Sequence, residues 1–163
     1  MRIEPIGASD HQELRELELA LFKEYLERSG AARWEEMGPE IIDRLGASSE
    51  QAFQFYLGTG LSFLAREDDR IVGFVFGRMI EHIYSMDRLA WIENLVVHPR
   101  FRRQGIAYRL VQRVAQEARL KGAEALTSSI MLHNQESIML HRKLGFLLEG
   151  RKIALLDLES SDL

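Results

Sequence analysis

Residues 91–111, WIENLVVHPRFRRQGIAYRLV, constrain the fold more than any other part of the chain. The segment opens with an apolar run that ends at Pro99, as a strand does where proline can no longer donate to a sheet ladder. Beyond Gly105, Ile106 and Leu110 begin an apolar pattern with helical spacing. A strand that passes through a glycine loop into a helix brings unpaired N–H groups and the positive helix end together. The segment therefore predicts a phosphate site.

The remaining periodicities predict an alternation of strands and helices around this segment. A hairpin is indicated where two runs rich in β-branched and aromatic residues flank Asp68 and Asp69. The strand, helix, strand order over 91–131 predicts a parallel pair. Leu14, Leu17, Leu21 and Tyr25 are expected on the buried face of a first helix that closes near Gly30. The predicted strands are 2–6, 61–67, 70–80, 91–97, 125–131 and one or more within 146–158, and the predicted helices include 39–45, 49–57, 106–121 and 134–144.

Composition limits the class of protein. A chain of 163 residues, 46% apolar and 28% charged, has the length and balance of one globular domain. It has no cysteine and no apolar run long enough for a membrane span, so we expect a cytoplasmic protein without membrane association. The five histidines show no close metal-ligand spacing, and no metal site is expected.

Charge is unevenly distributed along the chain. Residues 1–60 carry twelve acidic and six basic side chains, a balance of -6, whereas residues 98–121 carry seven basic and one acidic, a balance of +6. A local reversal in an acidic chain indicates one anionic ligand and argues against nucleic acid. Glu35, Glu36 and Glu40 would suit a cationic partner, although surface solvation explains them equally well.

The glycine loop matches one phosphate-binding pattern better than two others. It lacks the Lys-Ser/Thr of a P-loop and the three glycines of a dinucleotide fingerprint. Arg102, Gly105 and Ala107 match the pattern Arg/Gln, two residues, Gly, one residue, Gly/Ala. With NQESIMLHRKLGF at 134–146, the loop and its strand resemble the GCN5-related N-acetyltransferase (GNAT) family.

The resemblance implies an α/β fold in a single domain over residues 1–163. Its mixed, twisted sheet would have six or seven strands, splayed between strands 4 and 5 and flanked by about four helices. Residues 1–60 would supply helices on the acceptor side, and residues 61–158 the cofactor-binding core.

The resemblance also implies acetyl-CoA as acyl donor. The backbone of Leu95, Val96 and Val97 would pair with the pantetheine arm. The pyrophosphate would lie on the loop backbone of Arg102, Arg103, Gln104, Gly105, Ile106 and Ala107. Asn134 matches a family asparagine that contacts the pantetheine region, and it is also a suitable helix N-cap.

Glu93 is the predicted catalytic base. An amine with pKa ~10.4 is neutral in only about one molecule in 2,500 at pH 7, so acyl transfer benefits from a base. Glu93 is a carboxylate within an otherwise apolar strand, on the face of Trp91, Leu95 and Val97 unless a bulge reverses the register. The alternative is a charge at a strand edge paired with an arginine.

His141 departs from the family, which often has tyrosine at this position as the acid that protonates the departing thiolate. Three roles remain open for this histidine: an alternative acid, a cofactor contact, or an ordinary residue of a helix face.

These observations predict an acetyl-CoA-dependent N-acetyltransferase that acts on the primary amine of a small, cationic molecule by direct attack on the thioester. A peptide or protein amine is the alternative acceptor, and a catalytically degenerate acyl-CoA-binding module is the alternative without activity. The resemblance also makes a homodimer plausible.

Overall fold

The computed structural model describes residues 1–30, 33–150, 154 and 156. These residues form two compact units, Met1–Ser129 and Ile130–Leu163. The first unit contains the sheet and four of the five α-helices found in the described part of the chain, and the second contains the fifth helix.

The first unit is built on one five-stranded mixed sheet. Its strands lie side by side in chain order, and every neighbouring pair is antiparallel except the last, which is parallel as predicted. They are β1 Arg2–Pro5, β2 Phe63–Glu67, β3 Arg70–Ile83, β4 Met86–Val97 and β5 Ala125–Ser128. The helices are α1 His11–Ser29, α2 Pro39–Arg44, α3 Glu50–Thr59, α4 Ile106–Leu120 and α5 Gln135–Lys143.

The α/β class is confirmed, but the count of six or seven strands is wrong for the described residues. Five strands are present there, and the predicted fifth strand ends at Ser128 instead of continuing to 131. Of the predicted C-terminal strand, residues 146–150 have no regular structure, because this short run, interrupted by Glu149 and Gly150, finds no ladder partner in the described chain. Residues 151–153, 155 and 157–158 lie outside the described residues.

Strands β3 and β4 are longer than predicted. They continue to a two-residue turn at Tyr84 and Ser85, which both have positive φ (54° and 60°), the backbone of a type I′ hairpin. The fourth strand consequently begins at Met86, five residues before the apolar run that predicted it.

The two faces of the sheet are covered by different helices. Phe74 and Phe76 pack with Leu14 of α1 and Phe53 of α3 in one buried cluster. Successive side chains of a strand point to opposite faces, and a Cβ at Gly73 would meet Ile106 of α4 at 3.4 Å, so α4 covers the other face.

The first helix buries most of its predicted apolar face. Leu14 and Leu17 are buried and Leu21 packs against the same cluster, but Tyr25 is 48% exposed, which corrects its assignment to that face. The helix ends where Gly30 adopts φ 65° and its N–H bonds to the carbonyl of Leu26 at 3.0 Å, as the predicted closing glycine should.

Candidate active site

A β-bulge in β4 lies at Glu93. Phe76 of β3 pairs with Asn94 and Gly77 pairs with Ile92, so Glu93 is the extra residue that has no partner. The Trp91 indole donates to the Glu93 carboxylate at 2.9 Å, so these two side chains lie on the same face of the sheet. Beyond the bulge the alternation is reversed, as the sequence analysis had allowed.

The reversal places Glu93 apart from Leu95 and Val97. Val96 packs against the cluster on the α1 and α3 face. The Val97 side chain lies on the α4 face, 3.3 Å from the position that a Cβ added at Gly73 would take. The carboxylate of Glu93 and the side chain of Asn94 both face the α1 and α3 side, where they line a common cleft.

The cleft has a volume of about 380 Å³. Its walls come from the turn before α3, from α3 itself and from the bulge. The lining residues are Gly46, Ala47, Ala52, Tyr56, Glu93 and Asn94.

Tyr56 is the buried polar side chain of this cleft, with only 6% of its surface exposed. Burial, and then the charge of the hydrogen-bonded Glu93 carboxylate, raise the pKa of Tyr56 to about 12. The phenol is therefore protonated throughout the neutral range and can donate a hydrogen bond beside Glu93.

The strand edge next to the bulge lacks a ladder partner among the described residues. Parallel pairing with β5 covers Leu89 to Ile92 and stops at Ser128, whereas β4 runs on to Val97. The predicted splay between strands 4 and 5 thus begins at Glu93, and the four residues from Asn94 to Val97 pair with β3 alone.

The direction of each peptide group follows from the hydrogen bond after the strand. His98 donates to the carbonyl of Val72 at 2.9 Å, toward β3. Because alternate residues direct their N–H and C=O groups to opposite edges, Val96 also faces β3, whereas Leu95 and Val97 face the open edge. The Arg102 guanidinium, which bonds the Val97 carbonyl at 3.2 Å, agrees with this direction.

The glycine loop has the backbone that an anion requires. Gly105 is the N-cap of α4 with φ 79°, no heavy atom lies within 4 Å of its missing Cβ, and no side chain caps the helix. Arg103, with φ 65°, is exposed, as is Gln104. Unpaired N–H groups, a positive helix end and an open approach fit a phosphate group.

The side chains of α4 follow the predicted helical spacing. Ile106 and Leu110 are buried, and Ala107 is half-buried next to the loop. Arg109 is exposed, and Arg113 forms an ion pair with Glu117 at 3.0 Å while its guanidinium lies 4.7 Å above the Phe63 ring. The charge of Arg113 is thus already engaged in contacts within the helix and with the sheet.

In the second unit, Asn134 and His141 both make local contacts on α5. Asn134 caps the helix by accepting from the Ser137 N–H at 3.1 Å. His141 is buried, its Nδ1 lies 2.7 Å from the Ser137 carbonyl, and its ring stacks edgewise on Phe146. The capping role of Asn134 is confirmed, and the cofactor roles of both residues stay predictions.

The predicted acidic cluster is partly neutralised by its neighbours. Glu35 lies 3.5 Å from Lys23, and Glu36 lies 3.9 Å from Arg33. A backbone hydrogen bond, together with the charge of Lys23, holds the pKa of Glu35 below its usual value. These carboxylates do not line the cleft around Glu93.

Five cleft residues were not predicted from the sequence, and neither was the buried Glu18 behind them; the five are Gly46, Ala47, Ala52, Tyr56 and Asn94. One signal for Glu18 was present, because it follows Leu14 by four residues within the apolar face of α1. The described residues contain no group of three His, Asp or Glu side chains able to hold a metal. Nor do they include a helix long and apolar enough to cross a membrane.

A parallel strand pair that separates at a bulge, beside a glycine loop that opens a helix, defines a class of α/β proteins. The sequence matches the acetyltransferase (GNAT) family over residues 13–146. The chain therefore belongs to the GNAT family, as the resemblance implied. It is an N-acetyltransferase that uses acetyl-CoA as its acyl donor.

Solved structures share the fold at low sequence identity. Aminoglycoside acetyltransferase AAC(6')-Iy, in complex with the bisubstrate analog CoA-S-monomethyl-acetylneamine, has a TM-score of 0.73 at 20% identity, covering 96% of this chain and 97% of that one. For aminoglycoside acetyltransferase meta-AAC0020, from an uncultured soil metagenomic sample, the TM-score is 0.68 at 22% identity, covering 96% and 94%. AAC(6')-IG from Acinetobacter haemolyticus gives 0.70 at 19%, covering 96% and 98%. A comparison with curated protein sequences gives no significant match.

Proposed function

We propose that this protein transfers the acetyl group of acetyl-CoA to a primary amine of a small, cationic molecule, which attacks the thioester directly. One observation carries the proposal: the exposed carboxylate of Glu93 lines the cleft at the residue where β4 loses its β5 partner. An acceptor in the cleft and an extended donor along the open edge would meet there.

Glu93 is proposed as the base that takes the ammonium proton. Its bulge position holds the carboxylate in the cleft without burying it in the sheet, and the Trp91 indole fixes one oxygen. The protonated Tyr56 phenol would orient the other carboxylate oxygen of Glu93 or a water beside it.

Leu95 is proposed as the oxyanion donor, since its N–H is directed to the open edge, whereas that of Val96 is directed to β3. Val97 presents its peptide group to the same edge and would pair with the pantetheine arm as an added strand does. The loop from Arg102 to Ala107 is proposed to hold the pyrophosphate through the N–H groups around Gly105.

The proposed acceptor class follows from charge and from the relatives. Glu93 places a negative group in the cleft, and Glu18 lies directly behind Asn94 and Ala47, so a cationic amine would be attracted. Three enzymes with the same fold are aminoglycoside acetyltransferases, and one of them, meta-AAC0020, has been solved in complex with sisomicin. These relationships favour a polyamine-like or aminosugar acceptor.

The acceptor is tested by thiol release from acetyl-CoA against diamines, sisomicin and a lysine peptide. We expect turnover with the small cationic amines and little with the peptide. Turnover with the peptide alone would favour a protein acceptor, and cofactor binding without thiol release for any amine would refute the proposal.

The role of Glu93 is tested by Glu93→Gln, with Asp87→Asn as a control that removes an exposed carboxylate from the same strand. We expect kcat near neutral pH to fall by roughly 10²- to 10⁴-fold. The loss should shrink as alkaline solvent deprotonates the amine, while the acetyl-CoA Kd stays near that of the wild type. A pH–rate profile like that of the wild type would contradict the assignment of Glu93 as base.

A further inference from the structure

Glu18 is a buried carboxylate that the proposed chemistry does not use. It lies on α1 between the buried Leu14 and the half-buried Leu21, and only 6% of its surface is exposed. A carboxylate in such a position is costly unless hydrogen bonds compensate its lost hydration. Its partners therefore carry information about its role.

Four donors converge on this carboxylate. The backbone N–H groups of Ala47 and Ser48 donate at 3.1 and 2.9 Å, and the Ser48 hydroxyl donates to the same oxygen as its own N–H. The fourth donor is the side-chain amide of Asn94, the residue that follows the bulge. Glu18 thus joins α1, the turn before α3 and strand β4 at one point.

Arg15 extends the same contact along the chain. Its guanidinium lies 3.8 Å from the Glu18 carboxylate and donates to the carbonyls of Ile42 and Leu45. The pair formed by Arg15 and Glu18 therefore satisfies backbone acceptors at the end of α2 and just beyond it, and backbone donors after Gly46, where the chain between α2 and α3 has no ladder or helix.

Three of the six residues that line the cleft depend on this carboxylate for their position. Ala47 and Asn94 are bonded to it directly. Gly46 passes so close, with φ 73°, that an added Cβ would overlap the whole carboxyl group. This part of the cleft wall is consequently held by a buried anion as well as by the packing of Ala47 against the hydrophobic cluster.

We propose that Glu18 is a positioning residue that fixes the acceptor cleft by clamping the turn at 46–48 to the bulge that carries Glu93. The inference rests on the proposed function, since it assumes that this cleft receives the amine. It assigns Glu18 to acceptor binding and orientation, and it assigns no part of acetyl-CoA binding to it, because the glycine loop makes none of these contacts.

The sharpest variant is Glu18→Gln, which keeps the shape of the side chain but replaces one acceptor oxygen with a donor. The new amide group opposes either the Asn94 amide or the donors of Ser48 and cannot accept from all four partners. We expect kcat/KM for the amine to fall by roughly 10- to 100-fold, the loss typical of a small misplacement of reacting groups. The acetyl-CoA Kd should change less than about twofold.

Glu16→Gln is the matched control. It removes the same charge from the exposed face of the same helix, two residues away, where Glu16 bonds only to Gln12 at 3.0 Å in the described contacts. This variant should behave as the wild type does toward both substrates.

A second variant separates the clamp from a general loss of stability. Adding Asn94→Asp to Glu18→Gln reverses the polarity of the pair, because the amide now sits on α1 and the carboxylate on β4. A clamp of this kind predicts that the double variant recovers much of the acceptor kcat/KM lost in Glu18→Gln. Failure to recover it, with an intact fold and unchanged acetyl-CoA Kd, would overturn the coupling of α1 to the bulge.

Amide hydrogen exchange distinguishes failure of this inference from failure of the proposed function. The Ala47 and Ser48 amides should exchange faster in Glu18→Gln than in Glu16→Gln, and this comparison needs no acceptor. Equal exchange in the two variants refutes the clamp whatever the enzyme acetylates. If the wild type releases no thiol with any of the amines tested, the proposed function is refuted while the exchange result still stands.

Discussion

Replacing Gly105 with alanine separates two reasons for a glycine at the start of α4. Gly105 has φ 79°, a conformation that costs a residue with a Cβ roughly 1–2 kcal/mol. The structure supplies no other cost, since no heavy atom lies within 4 Å of the added methyl group. For a chain of this size, such a loss lowers Tm by roughly 2–8 °C.

Gly30 provides the matched control for this measurement. It ends α1 with φ 65°, and it too has no heavy atom within 4 Å of an added Cβ. Gly30→Ala should therefore cost about the same stability as Gly105→Ala. Only Gly105→Ala puts a methyl group at the N-terminus of α4, beside the proposed pyrophosphate site.

Calorimetric titration with acetyl-CoA then decides between a structural and a ligand-binding role for Gly105. We expect Gly105→Ala to raise the Kd by more than about tenfold, which is 1.4 kcal/mol, and Gly30→Ala to leave it unchanged. Equal Kd values for the two variants, at similar Tm, would refute the assignment of the loop to the pyrophosphate.

Two further predictions concern the cleft and the core. Burial and the charge of Glu93 raise the pKa of Tyr56 to about 12, so the stability that its protonated phenol contributes is present below pH ~10 and is lost as pH rises through 12. The Tm of Tyr56→Phe should therefore fall less than that of the wild type between pH 9 and 12, and equal falls would contradict the raised pKa. Leu110 is fully buried on α4, whereas Leu120 on the same helix is 81% exposed. Urea unfolding should therefore show that Leu110→Ala lowers the free energy of unfolding by about 2–5 kcal/mol and Leu120→Ala by less than about 0.5 kcal/mol. Similar losses in the two variants would contradict the assigned packing of α4.

The order of the elements could be predicted from the sequence because it depends on local signals. Helical spacing over α4, the proline after β4 and the glycines that end α1 and α4 each report on their own neighbourhood. The C-terminal strand could not be predicted with equal success, since residues 146–150 contain apolar side chains whose conformation depends on a ladder partner. Apolar content alone does not supply that partner.

The cofactor loop was more predictable than the acceptor cleft for a related reason. The loop is contiguous in sequence, so its arginines and glycine could be recognised together. The cleft is assembled from Gly46, Tyr56 and Glu93, which are far apart in the chain and come together only through the bulge and the Glu18 contacts. Nothing in the residues around Glu93 indicates which strand residue is the extra one.

The single extra residue at Glu93 determines how the two proposed binding regions meet. In a regular strand, Glu93 would share a face with Leu95 and Val97 and would be directed toward α4, where Ile106 is buried. The bulge turns Glu93 to the α1 and α3 side, which Asn94 shares, while the Leu95 peptide group stays directed to the open edge. The proposed base, the proposed clamp partner and the proposed oxyanion donor are therefore three consecutive residues of one strand. A deletion of Glu93 would accordingly remove the carboxylate and the bulge together, whereas Asn94, which already pairs with Phe76, would stay on the face toward Glu18.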